Sequence, residues 1–223
     1  MPHETVRLAD FAADAARHIL KLGHSAIAER GLFRLALAGG NTPAVVYAAM
    51  DPAFPWDKTQ ITFSDERCVP PDDKDSNYGM ARASLLTRVP IPEGNVFRLR
   101  GEIDPGEAAA EYEAKLRAVA TRFGESHYAH DVLLLGLGPD GHTASLFPGS
   151  PALEVTDRDV IPATGPKPPP QRLTFTFPLI NAARRVIFLV NDRSKQPVID
   201  EVQAGDPRHP ASRVTSATWL LGA

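Results

Sequence analysis

Residues 131–145 read DVLLLGLGPDGHTAS. Val132 to Leu135 form an apolar run with no polar alternation, the pattern of a strand buried on both faces in a parallel sheet. Gly136, Gly138 and a Pro139-Asp140-Gly141 turn follow, and then an imidazole, His142. In a parallel α/β sheet the loops at the carboxyl ends of the strands carry the ligand. A glycine-rich turn with a histidine at that position therefore marks a candidate site. The same reading places His142 at or near the start of a following helix.

The flanking chain repeats the alternation. Strands are expected over residues 32–37 (LFRLAL), 60–64 (QITFS), 172–178 (RLTFTFP) and 184–190 (RRVIFLV), and SRVTSATWLLGA, residues 212–223, could close the sheet. Helices are expected over 8–29, 43–50, 78–87 and 105–123, with a broken one over SKQPVIDEV, residues 194–202. Pro43 suits a first helical turn, where its missing N–H goes unpaired anyway. The stretch 162–172 (PATGPKPPPQR) reads as a proline-rich loop, not an interdomain linker, and DERCVPPDDKDSNYG after residue 64 as a charged turn. Strand–helix alternation over the whole chain predicts an α/β fold: a single domain, 1–223, with a Rossmann-like, mainly parallel sheet flanked by helices.

Bulk composition narrows the class. Hydrophobic residues make up 43% of the 223 and charged residues 23%, ordinary for a soluble globular protein. A net charge of −3 gives no basic footprint for nucleic acid. The single cysteine, Cys68, excludes an intramolecular disulfide framework and reads as a small buried hydrophobe. No apolar run approaches the length of a membrane span, and the first residues lack a signal-peptide pattern. A cytoplasmic, monomeric protein is expected.

Three loops fall at strand carboxyl ends, where they would meet at one rim of the sheet. In Gly39-Gly40-Asn41-Thr42 two glycines permit close backbone approach, and the following helix offers free N–H groups to an anion; a plain tight turn with Thr42 as N-cap fits the same letters. In SDER, Asp65 beside Arg67 is either a structural ion pair or a pair in which Arg67 holds an anionic or carbonyl oxygen and Asp65 orients a hydroxyl. In the third loop His142 has the titration range of a general base, Asp140 is placed to orient it, and backbone N–H groups near Gly138 and Gly141 could face a ligand. Arg172 and Lys195 are isolated cations that could pair around a phosphate. His127 and His130 in HYAH have no further ligand cluster and read as a solvated loop, so no metal site is expected.

Taken together, LALAGGNTP, FSDERCVPPDDKDSNYGMARASLL, LLLGLGPDGHTASLFPG and PQRLTFTFPLIN resemble the 6-phosphogluconolactonase family, in order and in spacing, through most of the chain. Lys195 after a strand extends the match, although its approach, VNDRSKQPV, lacks the glycine-rich character common in that family. The resemblance implies hydrolysis of 6-phospho-D-glucono-1,5-lactone to 6-phosphogluconate without metal or organic cofactor. It implies phosphate on the 39–42 loop with Arg172 and Lys195, His142 as base, and Arg67 or backbone N–H groups on the oxyanion. Asp65 and Asp140 would orient hydroxyls or the imidazole. Two rivals share the scaffold. One is a glucosamine-6-phosphate deaminase/isomerase; the other is a sugar-phosphate-sensing module, for which the chain shows no basic helix-turn-helix segment.

Overall fold

The computed structural model describes residues 3–223. In chain order the elements are β1 (Glu4–Leu8), α1 (Phe11–Arg30), β2 (Phe33–Leu37), α2 (Asn41–Ala48), β3 (Thr59–Phe63), β4 (Asp65–Arg67), α3 (Asn77–Ala81), α4 (Pro105–Arg122), β5 (Val132–Leu135), β6 (Val160–Thr164), β7 (Gln171–Phe175), α5 (Phe177–Asn181), β8 (Val186–Val190), α6 (Gln196–Gln203) and β9 (Thr218–Gly222). Six strands form a wholly parallel sheet in the order β1-β9-β8-β5-β2-β3. A smaller antiparallel sheet, β4-β7-β6, stands beside it.

The central strands explain the parallel sheet. All residues of β2, β5 and β8 are buried, as strands covered on both faces must be. Arg34 lies inside β2, where its guanidinium pairs with Glu125 and packs over the rings of Phe123 and Tyr128. The helices carry their own start and stop signals. Asp10 accepts from the Ala13 N–H to cap α1, and Gly31 ends it in the left-handed region at φ 74°. Asp104 caps α4, with Pro105 as its first residue. Among the described residues no helix is long and apolar enough to cross a membrane.

Several expectations from the sequence need correction. No helix follows His142: residues 139–150 run through turns closed by the bridge Thr143↔Leu146. Gly141 at φ 76° and Ala144 at φ 48° are left-handed, which breaks any helix there. The proline-rich loop is shorter than 162–172, because Val160–Thr164 pairs with β7 and Pro162 sits opposite Leu173 at the sheet edge. Asp65–Arg67 is a strand and not part of a turn, since β7 supplies an antiparallel partner. The segment 212–223 does not close the sheet; β9 lies inside it, and the edge is β1, which the sequence reading missed. The broken helix expected over 194–202 is a 3-10 turn over Arg193–Lys195 followed by α6, with Pro197 in the first turn of α6, where it is tolerated. The helix expected over 78–87 begins at Asn77 and changes to a π-helical turn over Arg82–Leu86.

Candidate active site

Because β2, β3, β5 and β8 run parallel, their carboxyl ends open on one rim. There a cleft of about 230 Å³ is walled by Gly39, Gly40, Asn41 and Thr42 after β2, and by Asp65 and Arg67 after β3. Gly138 and His142 follow β5, and Lys195 follows β8. The expected meeting of the three loops is found, and the chain after β8 adds a fourth wall.

His142 is fixed by its neighbours. Its Nδ1–H donates to Asp140 Oδ1 at 2.5 Å, since a carboxylate can only accept, and its backbone N–H reaches the same oxygen at 3.1 Å. Nε2 is left as the lone-pair nitrogen. Phe147 packs on the ring at a centroid distance of 4.5 Å. Burial acts to raise the Asp140 carboxyl, but the two bonds from His142 outweigh it and hold it below its ordinary value. Gly138 is required for this packing, because a Cβ there would lie 2.0 Å from the imidazole Nδ1.

The turn itself is closed by backbone bonds. The Gly138 N–H donates to the His142 carbonyl at 2.8 Å, and the Gly141 N–H to the Gly138 carbonyl at 3.0 Å. The N–H groups of Gly138 and Gly141 themselves are therefore spent inside the turn. Gly141 does not wall the cleft, and Asp140 stands behind His142.

On the opposite side, β4 places alternating charges in different surroundings. The Asp65 carboxylate accepts from Asn77 Nδ2 at 3.0 Å and from Ser145 Oγ at 2.7 Å, so it braces two loops. Glu66 is buried and accepts from the backbone N–H groups of Arg67, Asn77 and Tyr78 and from Ser76 Oγ. It serves as an internal cap of α3. Burial nonetheless raises its carboxyl above the ordinary value, against the pull of those backbone bonds. Arg67 Nη1 donates to the Asp75 carbonyl at 2.6 Å, and its Nε is buried without a protein partner. No ion pair joins Asp65 and Arg67 among the described residues; their neighbours hold them separately.

Arg172 lies opposite Arg67 in the β4–β7 ladder but does not wall the cleft. Its Nη2 donates to the Lys167 carbonyl at 3.3 Å. Burial, and then the charge of Arg67, lower its guanidinium below the ordinary value. Lys195 Nζ donates to the Leu137 carbonyl at 2.6 Å, which leaves two of its three donors for a ligand.

The α2 N-terminus is capped by Gly40 without a side-chain bond, so Thr42 is not its cap. Cys68 is half-buried, and burial together with the charge of Glu66 pushes its thiol up to about 11, too high for a nucleophile at neutral pH. His130 is fully buried instead of solvated, with Nε2 2.8 Å from Thr62 Oγ1, and cannot join His127 on a metal. The sequence reading missed Asn77, whose buried Oδ1 has no protein partner in the cleft wall, and Thr143 and Ala144. Ser76 ahead of a helical pattern was the available signal for Asn77, since it caps α3 through the Gly79 N–H.

Comparison with known proteins agrees with this geometry. The family described as glucosamine-6-phosphate isomerases/6-phosphogluconolactonase matches residues 7–221. The chain belongs to this family. A 6-phosphogluconolactonase of Synechocystis is 47% identical over 205 residues, covering 88% of this chain and 84% of the relative. The Homo sapiens 6-phosphogluconolactonase is 42% identical over 188 residues, covering 81% and 72%. Among solved structures, 6-phosphogluconolactonase of Thermotoga maritima superposes with a TM-score of 0.88 at 29% identity, covering 99% of this chain and all (100%) of that one. The glucosamine-6-phosphate isomerase/6-phosphogluconolactonase fold is thus present from β1 to β9, with the cleft at its switch between β2 and β5.

Proposed function

We propose that the chain hydrolyses 6-phospho-D-glucono-1,5-lactone to 6-phosphogluconate, the conversion by which relatives such as the Synechocystis and human proteins are named. The observation that carries the site assignment is the His142–Asp140 pair in a cleft whose opposite wall presents Arg67. His142 Nε2 takes a proton from water as the water oxygen attacks the lactone carbonyl carbon. The negative charge that forms on the carbonyl oxygen is met by Arg67, whose Nε lacks a protein partner. The ring C–O bond then breaks, the imidazolium returns its proton to the departing ring oxygen, and the carboxylic acid product ionises to release one proton. Asp140 holds the imidazole in the required tautomer and stabilises its charged form.

The phosphate rests on the Gly39–Thr42 loop at the α2 N-terminus, with Lys195 supplying a positive charge and Arg172 adding to the field from behind Arg67. Asn77 Oδ1 accepts from a sugar hydroxyl. The water, base and cations named suffice for ester hydrolysis.

The test is proton release on adding enzyme to freshly generated 6-phosphogluconolactone, against the uncatalysed rate. Acceleration by the wild type that falls by roughly 10²–10⁴-fold in His142→Ala supports the reading. No acceleration by the wild type overturns it, and ammonia release from glucosamine 6-phosphate would then favour the isomerase branch of the family.

A further inference from the structure

The turn that carries His142 is gripped from behind by a second histidine, 69 residues away in the chain. His209 is almost fully buried, with Nδ1 3.1 Å from the Asp140 carbonyl oxygen and Nε2 2.6 Å from Glu201 Oε2. Both partners are pure acceptors. A neutral imidazole has one N–H and can serve only one of them, whereas the imidazolium serves both. Two residues on, the Ala211 N–H donates to the Gly141 carbonyl at 2.9 Å, so the 209–211 segment holds consecutive carbonyls of the catalytic turn. The approach is close: Gly141 has φ 76°, and a Cβ there would lie 2.3 Å from His209 Nδ1.

The charged surroundings favour the imidazolium. Glu201 reaches it from α6, and Asp206 stands in the preceding loop. Arg208, the cation beside them, is neutralised by Asp206 at 2.6 Å and lies 3.5 Å from Glu201 Oε2, the same oxygen that His209 Nε2 bonds. From the turn itself only the Asp140 carbonyl bonds to the ring; the Asp140 carboxylate is committed to His142.

We propose that His209, as an imidazolium clamped between Glu201 and the Asp140 carbonyl, is a positioning residue that fixes the Asp140–Gly141–His142 turn and makes its placement sensitive to pH. The inference rests on the reading of His142 as the base. The bond to Glu201 and then the bond to the Asp140 carbonyl raise the imidazole above its ordinary value. With the folded value raised, the clamp is fully present below the unfolded value of about 6.5 and is lost as pH rises through the folded one.

Two measurements test this. Nitrogen-15 imidazole spectra of the wild type at pH 7 should show His209 protonated on both nitrogens. A singly protonated ring would overturn the proposal whatever the enzyme does, and this result does not depend on the substrate assignment. Steady-state profiles, corrected for uncatalysed hydrolysis, should show wild-type kcat falling on the alkaline side. In His209→Leu, kcat at neutral pH should drop about tenfold with little change in KM, and that alkaline fall should disappear. His209→Gln, which keeps a donor, should recover part of kcat. Glu201→Gln should move the alkaline limb to lower pH, because it removes the main cause of the raised value. An unchanged profile in both His209→Leu and Glu201→Gln, each checked for a cooperative thermal transition, would overturn the proposal.

Discussion

Asp140 Oδ1 accepts from both the ring Nδ1–H and the backbone N–H of His142, two residues on. One carboxylate oxygen thus sets the rotamer, the tautomer and the local backbone of the proposed base. Replacing Asp140 with Asn keeps an acceptor but removes the charge that stabilises the imidazolium formed during proton transfer. Asp140→Asn should lower kcat roughly 10–100-fold at neutral pH, with a smaller change in KM. Initial-rate kinetics check this. Because the folded value of the Asp140 carboxyl is lowered, the pair stays intact above the ordinary carboxylate range and dissolves only as pH falls through that lowered value.

Arg67 and Arg172 face each other across the β4–β7 ladder, yet only Arg67 walls the cleft. Arg67→Ala should lower kcat/KM about 10²–10³-fold, the loss typical of an oxyanion donor. Arg67→Lys should recover only part of it, because an ammonium cannot hold Asp75 and a substrate oxygen in one planar fork. Arg172→Ala, acting through the field alone, should raise KM roughly two- to fivefold and leave kcat nearly unchanged. A collapse of kcat in Arg172→Ala would move that guanidinium to the reacting carbonyl.

Asn77 ties the Asp65 backbone and carboxylate to the start of α3, through Nδ2 at 2.9 and 3.0 Å. Asn77→Ala removes a buried donor from a buried carboxylate and should cost about 1–3 kcal/mol, read from urea unfolding midpoints. It also removes the acceptor proposed for a sugar hydroxyl, so KM should rise in protein that is still fully folded at the assay temperature.

The legible and illegible parts of the sequence divide by range. β2, β5 and β8 were readable because burial on both faces leaves an apolar run that needs no partner to be recognised. β1 was not, because only Leu8 of its five residues is buried and its strand character comes from β9. β4 was not, because DER has no strand pattern of its own and depends on β7. The site shows the same split. Gly39–Thr42 and His142 lie in loops, and Asp65 and Arg67 in a three-residue strand, whose chemistry is legible from neighbouring letters, whereas Asn77 and His209 act only through contacts 12 and 69 residues away. The helix expected after His142 failed for a local reason, the left-handed Ala144, which its letters do not announce.

His130 offers a stability test independent of catalysis. Its ring is stacked on Phe175 and has no exposed surface; Nε2–H donates to Thr62 Oγ1, whose hydroxyl in turn lies 3.4 Å from the Leu35 carbonyl. Nδ1 has no partner, so protonation would bury an unpaired N–H. Burial, and then the charge of Arg34, lower its value to about 3. A folded value below the unfolded one of about 6.5 means that the unfolded chain takes up the proton first as pH falls. The neutral ring's contribution is therefore complete above about pH 6.5 and is lost progressively toward pH 3. Between pH 7 and 4.5 the wild type should lose roughly 2–3 kcal/mol more stability than His130→Phe, since the variant lacks this proton while sharing every other titrating group. Urea unfolding of both proteins at the two pH values checks this, and equal losses would mean that His130 takes up its proton over the same pH range in the folded chain as in the unfolded one.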